Sequence, residues 1–252
     1  MVMRKFSKIF LIVVASAAMF SFRMITDNWA AVSVDDMTKK IKEIEGFYKD
    51  NSAYTIKVTH ASYKSYSATV AEEKSQGYFI KDAKNNYHSF AMGIHTVQNA
   101  KLKITVDSVN KSILINDPDK TYTKAVKTDD LSGYLKVCDQ IKKIKGTNYD
   151  RFRFEFGKTQ TFSAYEIWTG TDNRIEKLVM FFNAEFPSDP NEEKSAKTKP
   201  RAEIIFSDYK TTVKPVYKDH FDETKYITLK DGNYVASDKY KGCKVYDLRT
   251  KK

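Results

Sequence analysis

At 252 residues, with 41% hydrophobic and 30% charged side chains, the chain has the composition of an ordinary globular protein with enough apolar material for a sizeable core. Its 13% aromatic content, built from 16 Phe, 16 Tyr and only 2 Trp, favours strands. The formal charge of +11, in a chain read below as exported, points to anionic lipid head groups, glycans or acidic partners and away from nucleic acid; lysines that keep strand faces soluble and sheet edges unpaired account for the same excess.

Arg4, Lys5 and Lys8 precede an apolar run from Ile9 to Phe22. That run is too short for a comfortable membrane span and matches a signal-peptide core. Ala30 and Ala31 offer a cleavage zone, and no cysteine follows the run to accept a lipid. The expectation is export to the periplasm, with residues 1–31 as the signal peptide and 32–252 as a single β domain; an uncleaved N-terminal anchor is the alternative.

Ser33-Val34-Asp35-Asp36 forms a capping box, and Met37, Ile41, Ile44, Phe47 and Tyr48 follow at helical spacing. Strand patterns come next: 54–58, 61–69, 77–81, 87–94, 102–106 and 113–115, with Asn85-Asn86 as a turn. A second helix is predicted over 129–145, from the stripe Leu131, Leu135, Cys138, Ile141 and Ile144 with Gly146 as its C-cap. Strands resume at 149–157, 161–169, 174–186 and 201–213, with a turn at Gly170-Thr171-Asp172-Asn173 and a polar loop from Pro187 to Pro200. Asp231-Gly232 marks a hairpin between 226–229 and 234–236, and 240–246 reads as an edge strand or an ordered tail. Many strands without a low-complexity linker point to one domain, a sandwich or a curved, partly closed barrel.

The run Asn148 to Gly157 places Phe152, Phe154 and Phe156 on alternate positions, with Arg151, Arg153 and Glu155 between them. Successive strand side chains point to opposite faces, so this is one aromatic face and one charged face. Tyr54, Phe79, Phe90, Trp168 and Phe181 add bulky aromatics from other strands, with only two helices to cover them. These eight aromatics are the candidate lining of an apolar cavity; an ordinary filled core explains the same pattern. Residues 175–182 are apolar on both faces in part, as in a strand covered on both sides.

The amphipathic segment 35–50, Gln76-Gly77-Tyr78-Phe79-Ile80-Lys81 followed by Asn86-Tyr87-His88-Ser89-Phe90, the helical stripe 129–145 and the strand Ala202 to Lys210 together resemble the LolA/LolB-like family of outer-membrane lipoprotein carriers. The resemblance covers most of residues 33–215 and rests on element order. It implies a mostly β, α+β fold: an unclosed antiparallel β-barrel, or half-barrel, covered by a helical lid. The family's arginine linking barrel and lid has no counterpart, since Lys57 and Lys64 occupy the early strands. By this likeness Ile41, Ile44, Leu131 and Leu135 would belong to the lid. The implied function is an exported carrier that shields a lipid or an acylated lipoprotein, monomeric and meeting a membrane-associated receptor.

Catalytic signals are missing: nothing resembles a nucleophile elbow, a phosphate loop or a catalytic cysteine motif. Non-enzyme, without cofactor, is the expectation. Of the four histidines, His88 and His95 stand seven apart, which on one continuous strand puts them on opposite faces and argues against a shared metal. Cys138 and Cys243 could pair across a long loop or stand as two lone thiols. The alternative function is an envelope scaffold of the same fold with a filled core, contacting a partner through its basic surface and loop 187–200.

Overall fold

The computed structural model describes residues 28–50, 53–119, 129–187, 196–211 and 219–250. The chain divides into two compact units, Met1–Ala30 and Ala31–Lys252; the fold below is that of the second. The apolar run from Ile9 to Phe22 lies outside the described residues, and among these no helix is long and apolar enough to cross a membrane.

Helix α1 (Val34–Asp50) begins at the capping box: the Asp36 amide donates to Ser33 Oγ at 3.1 Å, and the Ser33 hydroxyl donates to the Asp36 carboxylate at 2.6 Å. A first meander follows, of β1 (Tyr54–Tyr63), β2 (Glu73–Lys81), β3 (Tyr87–Ala91), β4 (Ile94–Gln98), β5 (Lys103–Asp107) and β6 (Ser112–Asn116). After the short helix α2 (Asp129–Tyr134) comes a second, of β7 (Gln140–Lys145), β8 (Tyr149–Glu155), β9 (Phe162–Gly170), β10 (Ile175–Phe182) and β11 (Arg201–Lys210). Pairing of β11 with β1 joins them into one sheet ordered β7-β8-β9-β10-β11-β1-β2-β3-β4-β5-β6, antiparallel throughout. The C-terminal segment adds the hairpin β12 (Ile227–Lys230) and β13 (Asn233–Ala236), then β14 (Lys244–Asp247), which pairs in parallel with β6. The result is the expected open sheet with helical cover, and it does not close on itself.

Three expectations are corrected. The 129–145 segment is not one helix: it ends at Tyr134, and Ile141 and Ile144 lie on β7. Gly146 is no C-cap; its N–H donates to Tyr149 O at 2.8 Å, turning β7 tightly into β8. The expected strands 54–58 and 61–69 are one strand, β1, that stops at Tyr63. Finally, 87–94 is broken by a turn at Met92 and Gly93, both at positive φ (48° and 79°), so β3 folds back as β4. The expected Asp231-Gly232 hairpin is present, with φ of 51° and 78°. Gly77 is fixed by the close approach of β3, since a Cβ there would lie 2.0 Å from Phe90 O.

Register tells which side chains share a face, because residues paired across strands point the same way. One row runs Phe152, Ile167, Leu178, Ile204, His60 across β8 to β1, and on the same face Ile56 pairs with Phe79 of β2. Here α1 lays down Met37, Ile41, Ile44 and Tyr48, all at most 2% exposed, and α2 adds Leu131. Tyr48 Oη accepts from the Ile175 amide at 3.2 Å, tying the helix to β10. Continued into β3 to β6, that face becomes Ser89, Thr96, Thr105 and Leu114. The apolar row has moved to the other side: Val97, Ile104 and Ile115, with Val106 and Ile113 beside them. Tyr226, Ile227 and Tyr240 of the C-terminal segment cover these. Thus the sheet carries two cores on opposite faces, and the changeover lies in β3, whose Tyr87 still belongs to the first core.

Candidate functional site: an apolar groove beside the helix

Under α1 the helix face is filled. Tyr54 and Phe154 are fully buried, and Phe152 and Phe79 nearly so. Beyond the helix the same face stays open. Where β1, β10 and β11 run past Val58, Leu178 and Phe206, a groove of about 770 Å³ is lined by His60, Ser75, Met180, Ala202, Ile204 and, from the β3–β4 turn, Met92. Met180 and Ile204 pack directly against the helix-covered core, so groove and core form one apolar surface. Burial lowers the His60 pKa and holds the imidazole neutral. The lining also includes the charged Glu73, Lys74 and Glu203; its apolar part can exclude water from an apolar ligand.

The eight aromatics singled out in the sequence divide between the two sheet faces. Tyr54, Phe79, Phe152 and Phe154 lie beneath α1, and half-buried Phe156 packs at the edge of that core against Tyr134, 5.6 Å between ring centres. Trp168, Phe181 and Phe90 stand on the opposite face. The four lid candidates Ile41, Ile44, Leu131 and Leu135 all belong to the α1 core, with Leu135, just past the end of α2, at its margin. Groove residues Met180, Ala202, Ile204 and His60 were missed. Their signal was parity: Met180 is two residues from Leu178, and Ile204 two from Phe206.

On the opposite face of β8 to β11 a charged lattice replaces a core. Glu166, 1% exposed, accepts from Arg151 Nε at 2.9 Å, Arg153 Nη1 at 2.7 Å and Trp168 Nε1 at 3.1 Å. Arg151 and Lys177 lie over Trp168, Arg153 over Phe181 and Arg201 over Tyr63, the last at 3.9 Å from the ring centre. Lys177 and Arg201 also hold Glu203 at 2.9 and 3.2 Å, lowering its pKa against the opposing effect of its own burial. Phe181 and Val179 gather with Ala164 and Tyr66 in a small cluster, which explains why 175–182 is apolar on both faces.

Contrary to the expectation from their spacing, His88 and His95 share a face, because the β3–β4 turn lies between them and in the hairpin His95 pairs with Phe90. His220 joins them. The partners approach different nitrogens of His88, presenting no common point for an ion, and no metal-ligating cluster is found among the described residues. Cys138 and Cys243 are free; the first packs on the α1 core and the second on the C-terminal core.

No protein-family model matches the chain, and no curated protein matches it. Solved structures resemble it distantly. An uncharacterized conserved protein from Thermus thermophilus is 12% identical, with a TM-score of 0.41, over 82% of this chain and 98% of that one. A LolA superfamily protein from Nitrosomonas europaea is 9% identical, with a TM-score of 0.31, over 73% and 96%. LprF from Mycobacterium bovis is also 9% identical, with a TM-score of 0.34, over 73% and 97%. Likeness at this level leaves the functional reading to the chain's own residues.

Proposed function

We propose that the mature chain is an exported, non-enzymatic carrier that shields an acyl chain, of a lipid or an acylated lipoprotein, in the groove beside α1. The observation that carries this reading is the groove itself: about 770 Å³ of largely apolar space continuous with the helix-covered core. That volume falls within the usual range of ligand sites, about 300–1,000 Å³. Each methylene moved there from water contributes about 0.8 kcal/mol, so partial filling already gives useful affinity. Helices α1 and α2 act as a movable lid: were α1 to shift, Tyr54, Phe79, Phe152 and Phe154 would extend the groove with aromatic surface. The excess of lysine and arginine (43 against 32 acidic residues) suits an approach to anionic head groups or a membrane receptor.

A second reading is favoured by one observation, the full burial of Tyr54 and Phe154 under α1. In it the helix never moves, the groove stays empty, and the basic surface and loop 187–200 bind an envelope partner. Uptake of a fluorescent fatty acid separates the two. The carrier reading expects saturable binding to the wild type, abolished in Ala202→Trp, which fills the groove while α1 stays in place. No uptake by the wild type, with the fold intact, supports the scaffold.

A further inference from the structure

We propose that residues 219–250 form an acid-releasable cap over the apolar face of β3 to β6, with His88, His95 and His220 as its latch. This cap sits on the face opposite the groove, and the inference stands independently of the carrier reading. The segment contributes Tyr226, Ile227 and Tyr240 to the second core, and its strand β14 covers the edge of β6. Release therefore uncovers both an apolar face and a row of unpaired backbone groups.

The latch lies at the seam. His220, at the start of the segment, places Nδ1 3.0 Å from Nδ1 of His88, and His88 Nε2 lies 3.2 Å from Nδ1 of His95. Three neutral rings satisfy both contacts with one N–H each: His95 donates to His88, and His88 donates to His220, or the whole chain runs in reverse. Two adjacent imidazolium rings cannot, because each would then point an N–H at the other across about 3 Å. Aromatic rings wall the chain: Tyr78 stands edge-on to His88 at 5.0 Å, Phe90 lies 4.5 Å from His95, and Tyr226 is 6.1 Å from His88. His88 itself is 2% exposed.

The charged groups around the latch mostly oppose its protonation. Lys239, next to Tyr240 in the turn Asp238–Tyr240, bears on all three histidines, and Lys225 bears on His220. Among the described residues, Asp219 is the carboxylate acting the other way, on His220. Tyr78 and Tyr226 stay neutral, since burial raises both phenols, Tyr78 to about 12. Desolvation first, then the neighbouring positive groups, pull His88 down to about 3 and lower His95 and His220. A released histidine titrates near 6.5. The docked state is therefore fully favoured above about pH 6.5, and its advantage is lost as pH falls from there toward the docked pKa. Over that window His88 makes release up to about tenfold more favourable per pH unit, and the lowered pKa values of His95 and His220 act in the same direction.

Hydrogen exchange at pH 7.5 and 5.0, corrected for intrinsic rates, tests this on the full mature chain. The expected result is a loss of protection of tenfold or more in 94–116 and 226–247 at pH 5.0, relative to α1 and β8 to β10. In His220→Gln, which keeps a neutral hydrogen-bonding group, the loss should shrink. Imidazole NMR on the wild type gives a second readout that needs no variant: His88 should stay neutral down to the pH at which cap protection fails. Protection of 94–116 and 226–247 that is unchanged between the two pH values overturns the proposal, as does a His88 that titrates near 6.5 with the cap still closed.

Discussion

The two halves of the sheet bury their apolar residues on opposite sides. From β7 to β2 the buried row faces α1, and the reverse side carries the lattice of Arg151, Arg153, Glu166, Lys177 and Glu203. From β3 to β6 the buried row faces the C-terminal segment, and the reverse side carries Ser89, Thr96 and Thr105. One antiparallel sheet thus has two covers from opposite ends of the chain. The helix-covered half leaves spare apolar surface at its margin, while the second half leaves a seam of histidines. The two proposals accordingly fall in different halves: binding in the first, release in the second.

The largest expected effect is in the first half. Phe154→Ala, at a fully buried ring, should cost about 3–5 kcal/mol by chemical denaturation and should loosen α1. Ile113→Ala in the second core should cost about 2–3 kcal/mol, toward the low end because β6 lies near the sheet's end and can relax. If the halves are distinct, exchange protection in Ile113→Ala falls in 226–247 and not in α1. Glu166→Gln leaves Arg151 and Arg153 without their shared anion; both arginines are partly exposed, so the cost should be about 2 kcal/mol, below that of a fully buried pair. Its salt dependence of stability should fall with it. Smallest is Ser33→Ala, which removes the cap of α1 for about 1 kcal/mol and should raise exchange in the first turn alone.

Local patterns carried much of this fold in the sequence. The capping box and the stripe Met37, Ile41, Ile44, Tyr48 define α1 because capping and helical spacing are local. Alternation in 149–155 and the Asp231-Gly232 turn are local in the same way. What failed was nonlocal. Leu131, Leu135, Cys138, Ile141 and Ile144 fit a helix by spacing, yet pairing with β8 makes 140–145 a strand. Parity within β9 already separated Trp168, which shares a face with Glu166, from Tyr165 and Ile167. Which face α1 would cover depends on the pairing of β11 with β1, more than a hundred residues apart, and no local pattern records it. The histidine latch was hidden by the turn at Met92-Gly93: Gly93 is a turn signal that the strand pattern over 87–94 overrode, and the positive φ of 48° at Met92 follows from the hairpin around it.

Native mass spectrometry of residues 32–252, purified without detergent and followed by organic extraction, tests the carrier reading most directly. The account predicts a stoichiometric lipid or acylated species on the wild type that is absent from Ala202→Trp. A folded wild-type protein that is empty after isolation, and that takes up no lipid when offered it, would contradict the account.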